Sequence, residues 1–174
     1  MTRTTCVPAS CKAARRGLAA LLLALSACAG YDGRSLVPGQ STGAEVEKLM
    51  GPSQDKRTGQ NGESVLWFPR LPAGRVSYAA RIGTDDRLIA IEQRLTREYL
   101  DQLKTGVSRE SDVRDVLGPP YRIDPFPRMQ RDAWTYQAQG IQPQLIVVQF
   151  SQDHILREAY MIDDPEYVQQ QSSD

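Results

Sequence analysis

The sequence predicts an α+β protein of two tandem repeats, each with one or more short helices packed on a three- or four-stranded antiparallel sheet. The first observation behind this is a duplication. Leu36, Gly39, Ser41, Val46, Gly51, Pro52 and Trp67 recur as Leu103, Gly106, Ser108, Val113, Gly118, Pro119 and Trp134, all at an offset of 67. Average composition gives about two such identities by chance, and a fixed period marks a repeated structural unit. The second observation is a helical apolar stripe in each copy that stops at Gly-Pro. The third is a set of alternating apolar segments after each stripe, separated by polar turns. The units are placed at residues 36–95 and 96–162.

Residues 1–27 read as an export address. Arg3, Lys12, Arg15 and Arg16 form a basic leader without acidic residues, and Gly17–Ala27 is an apolar run ending at Cys28. That is the layout of a secretory signal, and the run is too short to cross roughly 30 Å of hydrocarbon as a helix. Leu25-Ser26-Ala27-Cys28 resembles the lipobox of bacterial lipoproteins. The resemblance implies cleavage before Cys28, a diacylglycerol thioether on its sulfur and acylation of the new amino group. Two or more acyl chains anchor durably where a single chain does not. Ala29 rather than Asp after Cys28 resembles the sorting pattern for the outer membrane. Cleavage leaves 147 residues with 17 basic and 21 acidic side chains, and it removes Cys6 and Cys11. No thiol then remains for a disulfide, so the fold rests on its apolar core. Residues 28–35, with Gly30, Asp32 and Gly33, read as the lipidated cysteine and a flexible tether.

Each unit begins with a helix of about nine residues. Ser41 and Ser108 are the expected N-caps. Val46, Leu49 and Met50 share one helical face, as do Val113, Val116 and Leu117. Gly51 and Gly118 suit the position just past the helix, and Pro52 and Pro119 prevent continuation. Such short helices do not persist alone, so they pack on a sheet. Thr96–Leu103 reads as an extra helix opening the second unit.

Ser64–Phe68 and Asp132–Gln137 are strand-like and place Trp67 and Trp134 at the same point, which predicts a shared core role. Val76, Tyr78, Ala80 and Ile82 alternate on one face, and Ile146, Val148 and Phe150 do so in the second unit. Thr84-Asp85-Asp86 and Gln152-Asp153-His154 are turns into strands at Leu88–Leu95 and Ile155–Ile162. Weaker strands are placed near Asp55–Thr58 and Tyr121–Asp124. Residues 163–174 read as a flexible polar tail.

The composition removes several functional classes. The chain has 174 residues, with 21 basic and 21 acidic side chains, 40% hydrophobic and 24% charged residues, and a single histidine. A neutral chain lacks the clustered cations that nucleic acid requires, so no nucleic-acid partner is expected. His154 alone makes neither a histidine-rich zinc site nor, from its turn, a persuasive catalytic base. Asp85-Asp86 and Asp163-Asp164 read as solvated turns rather than paired acids or calcium ligands. No metal, no cofactor beyond the covalent lipid at Cys28, and no enzymatic activity are expected.

Gly39-Gln40-Ser41, Glu45-Val46, Leu49-Met50-Gly51-Pro52 and Trp67 resemble the SmpA/OmlA outer-membrane lipoproteins, a family that includes the BamE component of the β-barrel assembly machinery. The second unit matches more closely, through Gly106-Val107-Ser108, Asp112-Val113, Val116-Leu117-Gly118-Pro119-Pro120 and Trp134-Thr135-Tyr136. The resemblance implies a helix-plus-three-strand module and, once duplicated, an arrangement like that of the β-lactamase inhibitory protein. It also implies a lipid-anchored, periplasm-facing protein that binds periplasmic or outer-membrane proteins, the assembly machinery among them, and supports envelope integrity. The alternative is a soluble-target binder or inhibitor on the same scaffold.

Two surfaces are candidates for contact. The rigid segment from Gly118 to Pro127 presents Tyr121 and Phe126. The sheet face away from the helices carries Leu145, Val147 and Gln149 in the second unit, with Ser77, Ala79 and Arg81 in the first. Leu145 and Val147 side by side form an apolar pair of the kind that marks protein contacts. Burial between the repeats is the competing role for this face.

Overall fold

The computed structural model describes residues 32–59 and 61–172. The expected leader, Cys28 and the start of the tether lie outside the described residues. The first unit contains α1 (Gly43–Met50), β1 (Asp55–Thr58), β2 (Ser64–Pro69), β3 (Ser77–Ile82) and β4 (Leu88–Gln93). The second contains α2 (Arg97–Leu100), α3 (Glu110–Leu117), β5 (Arg122–Phe126), a 3-10 turn (Pro127–Met129), β6 (Arg131–Gln139), β7 (Pro143–Ser151), β8 (Leu156–Asp163) and α4 (Pro165–Gln171). Each unit is a four-stranded antiparallel meander, ordered β1-β2-β3-β4 and β5-β6-β7-β8. The chain is therefore α+β with two tandem sheet units, and the weak leading strands are full members of their sheets.

The helix caps differ from expectation by one residue. Thr42 caps α1: its amide donates to Glu45 Oε2 at 2.8 Å, and its hydroxyl accepts from the Glu45 amide at 3.3 Å. This reciprocal pair satisfies donors that a helix start leaves open. In α3 the amide of the N-cap, Arg109, donates to Asp112 Oδ2 at 2.8 Å. Ser41 and Ser108 stand just before the caps, where their hydroxyls accept from the amides of Val37 at 3.0 Å and Lys104 at 2.9 Å. They close the turn that leads into each helix.

α1 seats Val46 and Met50 on Leu66, Phe68, Ala80, Ile82 and Leu88. α3 seats Val113 and Leu117 on Trp134, Tyr136, Ile146, Val148, Phe150 and Leu156. The Trp134 and Phe150 rings are 4.8 Å apart between centroids. Burying each large side chain contributes about 1.5–3 kcal/mol, which offsets the low persistence of helices this short.

Strand register corrects the tryptophan match. Leu66 lies opposite Ala80 and Trp67 opposite Ala79, whereas Trp134 lies opposite Val148. The equivalent of Trp134 is therefore Leu66: β1 and β5 keep the offset of 67, whereas β2 and β6 stand at 68, so the repeat register slips by one residue between the first and second strands. A shift of one residue moves a strand side chain to the opposite face. Both tryptophans are buried, but Trp134 belongs to the core under α3 and Trp67 to a separate cluster with Val65 and Ala79.

That separate cluster lies where the units meet. Trp67 lies on Gly118, at the end of α3. Arg57 pairs with Asp115 of α3. The Arg94 guanidinium sits 4.4 Å from the Tyr99 ring centre and 5.9 Å from that of Trp67. On the same sheet face, Arg81 grips Glu63 with two bonds of 2.9 and 3.0 Å, holding that carboxyl below its ordinary range. Ser77 and Ala79 are 2% and 0% exposed, so in the first unit this face takes the competing role, burial between the repeats. The layers run α1, first sheet, α2 with α3, second sheet.

Both ends of the described chain are more ordered than a tether and a tail. Gly33 is buried, and a Cβ there would fall 2.4 Å from Ile91 Cδ1 and 3.1 Å from Met50 Sδ. Residues 165–171, placed in the flexible tail, form α4, whose N-cap Asp164 accepts from the Glu166 amide at 3.0 Å.

Candidate functional site

β5 is an edge strand, bonded on one side to β6. Pro119 and Pro120 lead towards it, Pro125 lies within it and Pro127 opens the 3-10 turn. Proline fits an edge because the outer row of that strand has no ladder bond to lose. The segment carries four exposed large apolar side chains: Tyr121 at 56%, Ile123 at 47%, Phe126 at 46% and Met129 at 64%. Alternation puts Tyr121 and Ile123 on the α3 side, Ile123 lying opposite Trp134. Phe126 lies on the other face with Arg122 and Asp124, which pair at 2.6 Å. Tyr121 and Phe126 therefore look out from opposite faces rather than together. Sequence reasoning passed over Ile123 and Met129, although the two-residue step from Tyr121 to Ile123 was a readable signal.

Leu145 and Val147 are brought together on the outer face of the second sheet, and both are half-buried. Leu145 lies between Gln137 and Ile162, and Val147 between Thr135 and Tyr160. Gln149 donates to the Tyr160 hydroxyl at 3.3 Å on the same face. Phe126 shares this face but belongs to its far end, opposite Arg131, which pairs in turn with Ser151.

Tyr121 also lines a cleft between the units, beside Leu71, Pro72 and Ser77 from the first and Pro120 and Gln137 from the second. Arg75 ties the units together near this cleft. Its guanidinium donates to the carbonyls of Ala138 at 3.2 Å and Gln144 at 3.0 Å and to Asp164 Oδ2 at 2.6 Å. Asp164, expected in a solvated turn, is 5% exposed because it serves both this pair and the start of α4. The buried Tyr136 hydroxyl donates to the Gly118 carbonyl at 3.2 Å, and burial pushes its phenol pKa well up.

His154 and Asp86 occupy corresponding turns of different units, with matching positive φ of 61° and 60°. His154 Nδ1 is 2.8 Å from Glu110 Oε1, and the bond to that carboxylate raises the imidazole pKa. Asp85 stays within its own turn, where Oδ1 accepts from the Arg87 amide at 3.2 Å. The fold does not gather these residues into one site. Among the described residues, no group of three or more His, Cys, Asp or Glu side chains could hold a metal ion, and no helix is long and apolar enough to cross a membrane.

No family model matches the chain, and no curated protein matches it. The chain is similar to the crystal structure of a DUF4309 family protein, YjgB, from Bacillus subtilis, with 17% identity over 75% of this chain and 84% of that one. The TM-score of 0.31 is too low to carry a function across.

Proposed function

We propose that the protein is a non-enzymatic docking module, anchored through lipid on Cys28 at the periplasmic face of the bacterial outer membrane. There it binds periplasmic or outer-membrane proteins and supports barrel assembly or envelope integrity. One observation carries the docking role: the proline-stiffened edge segment from Tyr121 to Met129 keeps four large apolar side chains in solvent. Exposed apolar side chains on both faces of one edge strand offer contact to a partner that grips the edge, and a rigid presenting segment loses little entropy on binding. The leader and Leu25-Ser26-Ala27-Cys28 support the anchor, which would raise the local concentration of a modest binder at the membrane. The resemblance to SmpA/OmlA lipoproteins supports the barrel-assembly partner.

The test is photo-crosslinking from position 126 in membranes of the producing bacterium, followed by purification in detergent beside a Cys28→Ala form. Crosslinks to outer-membrane assembly proteins that vanish with Cys28→Ala fit the proposal. Crosslinks to a soluble enzyme that survive loss of the lipid would favour an inhibitor on the same scaffold. Intact mass decides the anchor: an unacylated chain beginning at Met1 rules it out.

A further inference from the structure

The cleft between the units meets the docking segment only at Tyr121 and has features of its own. It encloses about 600 Å³, within the roughly 300–1,000 Å³ range of small-ligand sites, which often form between structural units. Its walls include Pro69 at the end of β2, Pro72 from the β2–β3 loop, and Pro119 and Pro120 from the α3–β5 loop. Proline has a fixed φ, so these walls hold their shape without an occupant. Arg75 is the one charged residue in the lining, and Asp164 with two carbonyls already engages it. An anion entering the cleft would therefore meet no uncompensated cation.

The polar groups that remain are neutral. Gln54 from the first unit is a neutral residue of the lining, and Gln137 from the second borders it with its side chain on the outer sheet face beside Leu145. Ser77 belongs to the same lining, is 2% exposed, and its hydroxyl has no partner among the described residues. A buried hydroxyl without a partner is destabilising, and serine needs only one side-chain rotation to redirect it. Ser77 borders the open volume of the cleft, into which a rotation could direct that oxygen.

We propose that this cleft binds an uncharged, largely apolar small molecule, with Ser77 taking its hydrogen-bonding group beside Gln54. The test uses the full chain carrying Cys28→Ala, so that no acyl chain competes, and the uncharged fluorophore N-phenylnaphthylamine as probe. Its sulfonated relative, anilinonaphthalene sulfonate, shares the aromatic skeleton and adds an anion.

Saturable one-to-one enhancement with the neutral dye is expected, with the sulfonate binding about ten-fold more weakly because its charge stays unpaired. Ser77→Ala is expected to weaken the neutral dye about ten-fold, the equivalent of one hydrogen bond, and Gln54→Trp to fill the cleft and abolish binding. Circular dichroism checks that each variant is folded, and Ser77→Ala decides alone if Gln54→Trp is not. Failure to saturate, equal affinity for the sulfonate, or binding unchanged in Ser77→Ala overturns the proposal. Ser77 and Gln54 lie outside the Tyr121–Met129 segment, so failure of this proposal is distinguishable from failure of the docking role.

Discussion

The six-membered ring of Trp67 lies on the backbone of Gly118, so that a Cβ built there would fall 2.4 Å from Cε3 and 2.7 Å from Cζ3. Gly51, the corresponding residue of the first unit, has nothing within 4 Å of that position. Their φ values are alike, +87° and +80°, in a region that costs other residues about 1–3 kcal/mol. Gly51→Ala should lose about that much in urea unfolding, whereas Gly118→Ala adds roughly 1–3 kcal/mol of overpacking. Equal losses would mean that Trp67 does not press on Gly118 in solution.

Arg75 and Asp164 join the units through a mostly buried ion pair, with side-chain exposures of 21% and 7%. Arg75→Met should cost about 2–4 kcal/mol, because it leaves a buried carboxylate unpaired. Asp164→Asn added to that variant should recover part of the loss, since asparagine still caps α4 but carries no charge. A double-mutant cycle measures this coupling, and additive losses would show that the pair is not formed.

Much of the architecture was legible because its constraints are local. Gly51 and Gly118 stop a helix, Val46 and Val113 mark its buried side, and the strands alternate. The position of the one-residue slip was not legible: the Trp67/Trp134 identity favours an unbroken offset of 67 through position 67, and only the strand register shows that the offset has already changed there, which reverses the face of Trp67. Ser41 and Ser108 were misplaced for a related reason, since a hydroxyl at that point suits either a cap or the turn before it. Asp164 was misread because its partner, Arg75, is 89 positions away in the chain. For the candidate contacts, sequence found Leu145 beside Val147, but the alternation across Pro125 separates Tyr121 from Phe126.

His154 provides a pH test. Its bond to Glu110 raises the imidazole pKa above the ordinary value of 6.5. A raised folded-state pKa gives stability that is fully present below the unfolded value and lost as pH rises through the folded one. The melting-temperature gap between the parent and His154→Gln should thus be widest near pH 5 and close as pH rises through that raised pKa. The imidazole is exposed, so salt should narrow the gap at low pH. A gap independent of pH would remove Glu110 as the cause.

Phe126 separates stability from contact. Its ring is 46% exposed and belongs to none of the buried clusters, so Phe126→Ser should change unfolding free energy by no more than about 0.5–1 kcal/mol. If the edge segment docks a partner, the same change removes an aromatic anchor and should weaken binding by about 1–2 kcal/mol or more, seen as at least a several-fold loss of captured protein. Tyr121→Ser tests the opposite face of the strand. A loss with Phe126→Ser alone places the partner on the outer sheet face with Leu145 and Val147, whereas a loss with Tyr121→Ser alone places it over the cleft side. Equal losses require a partner that wraps the edge of β5, because the two side chains never share a face. If both variants stay folded and capture is unchanged, neither side of the edge segment is a contact.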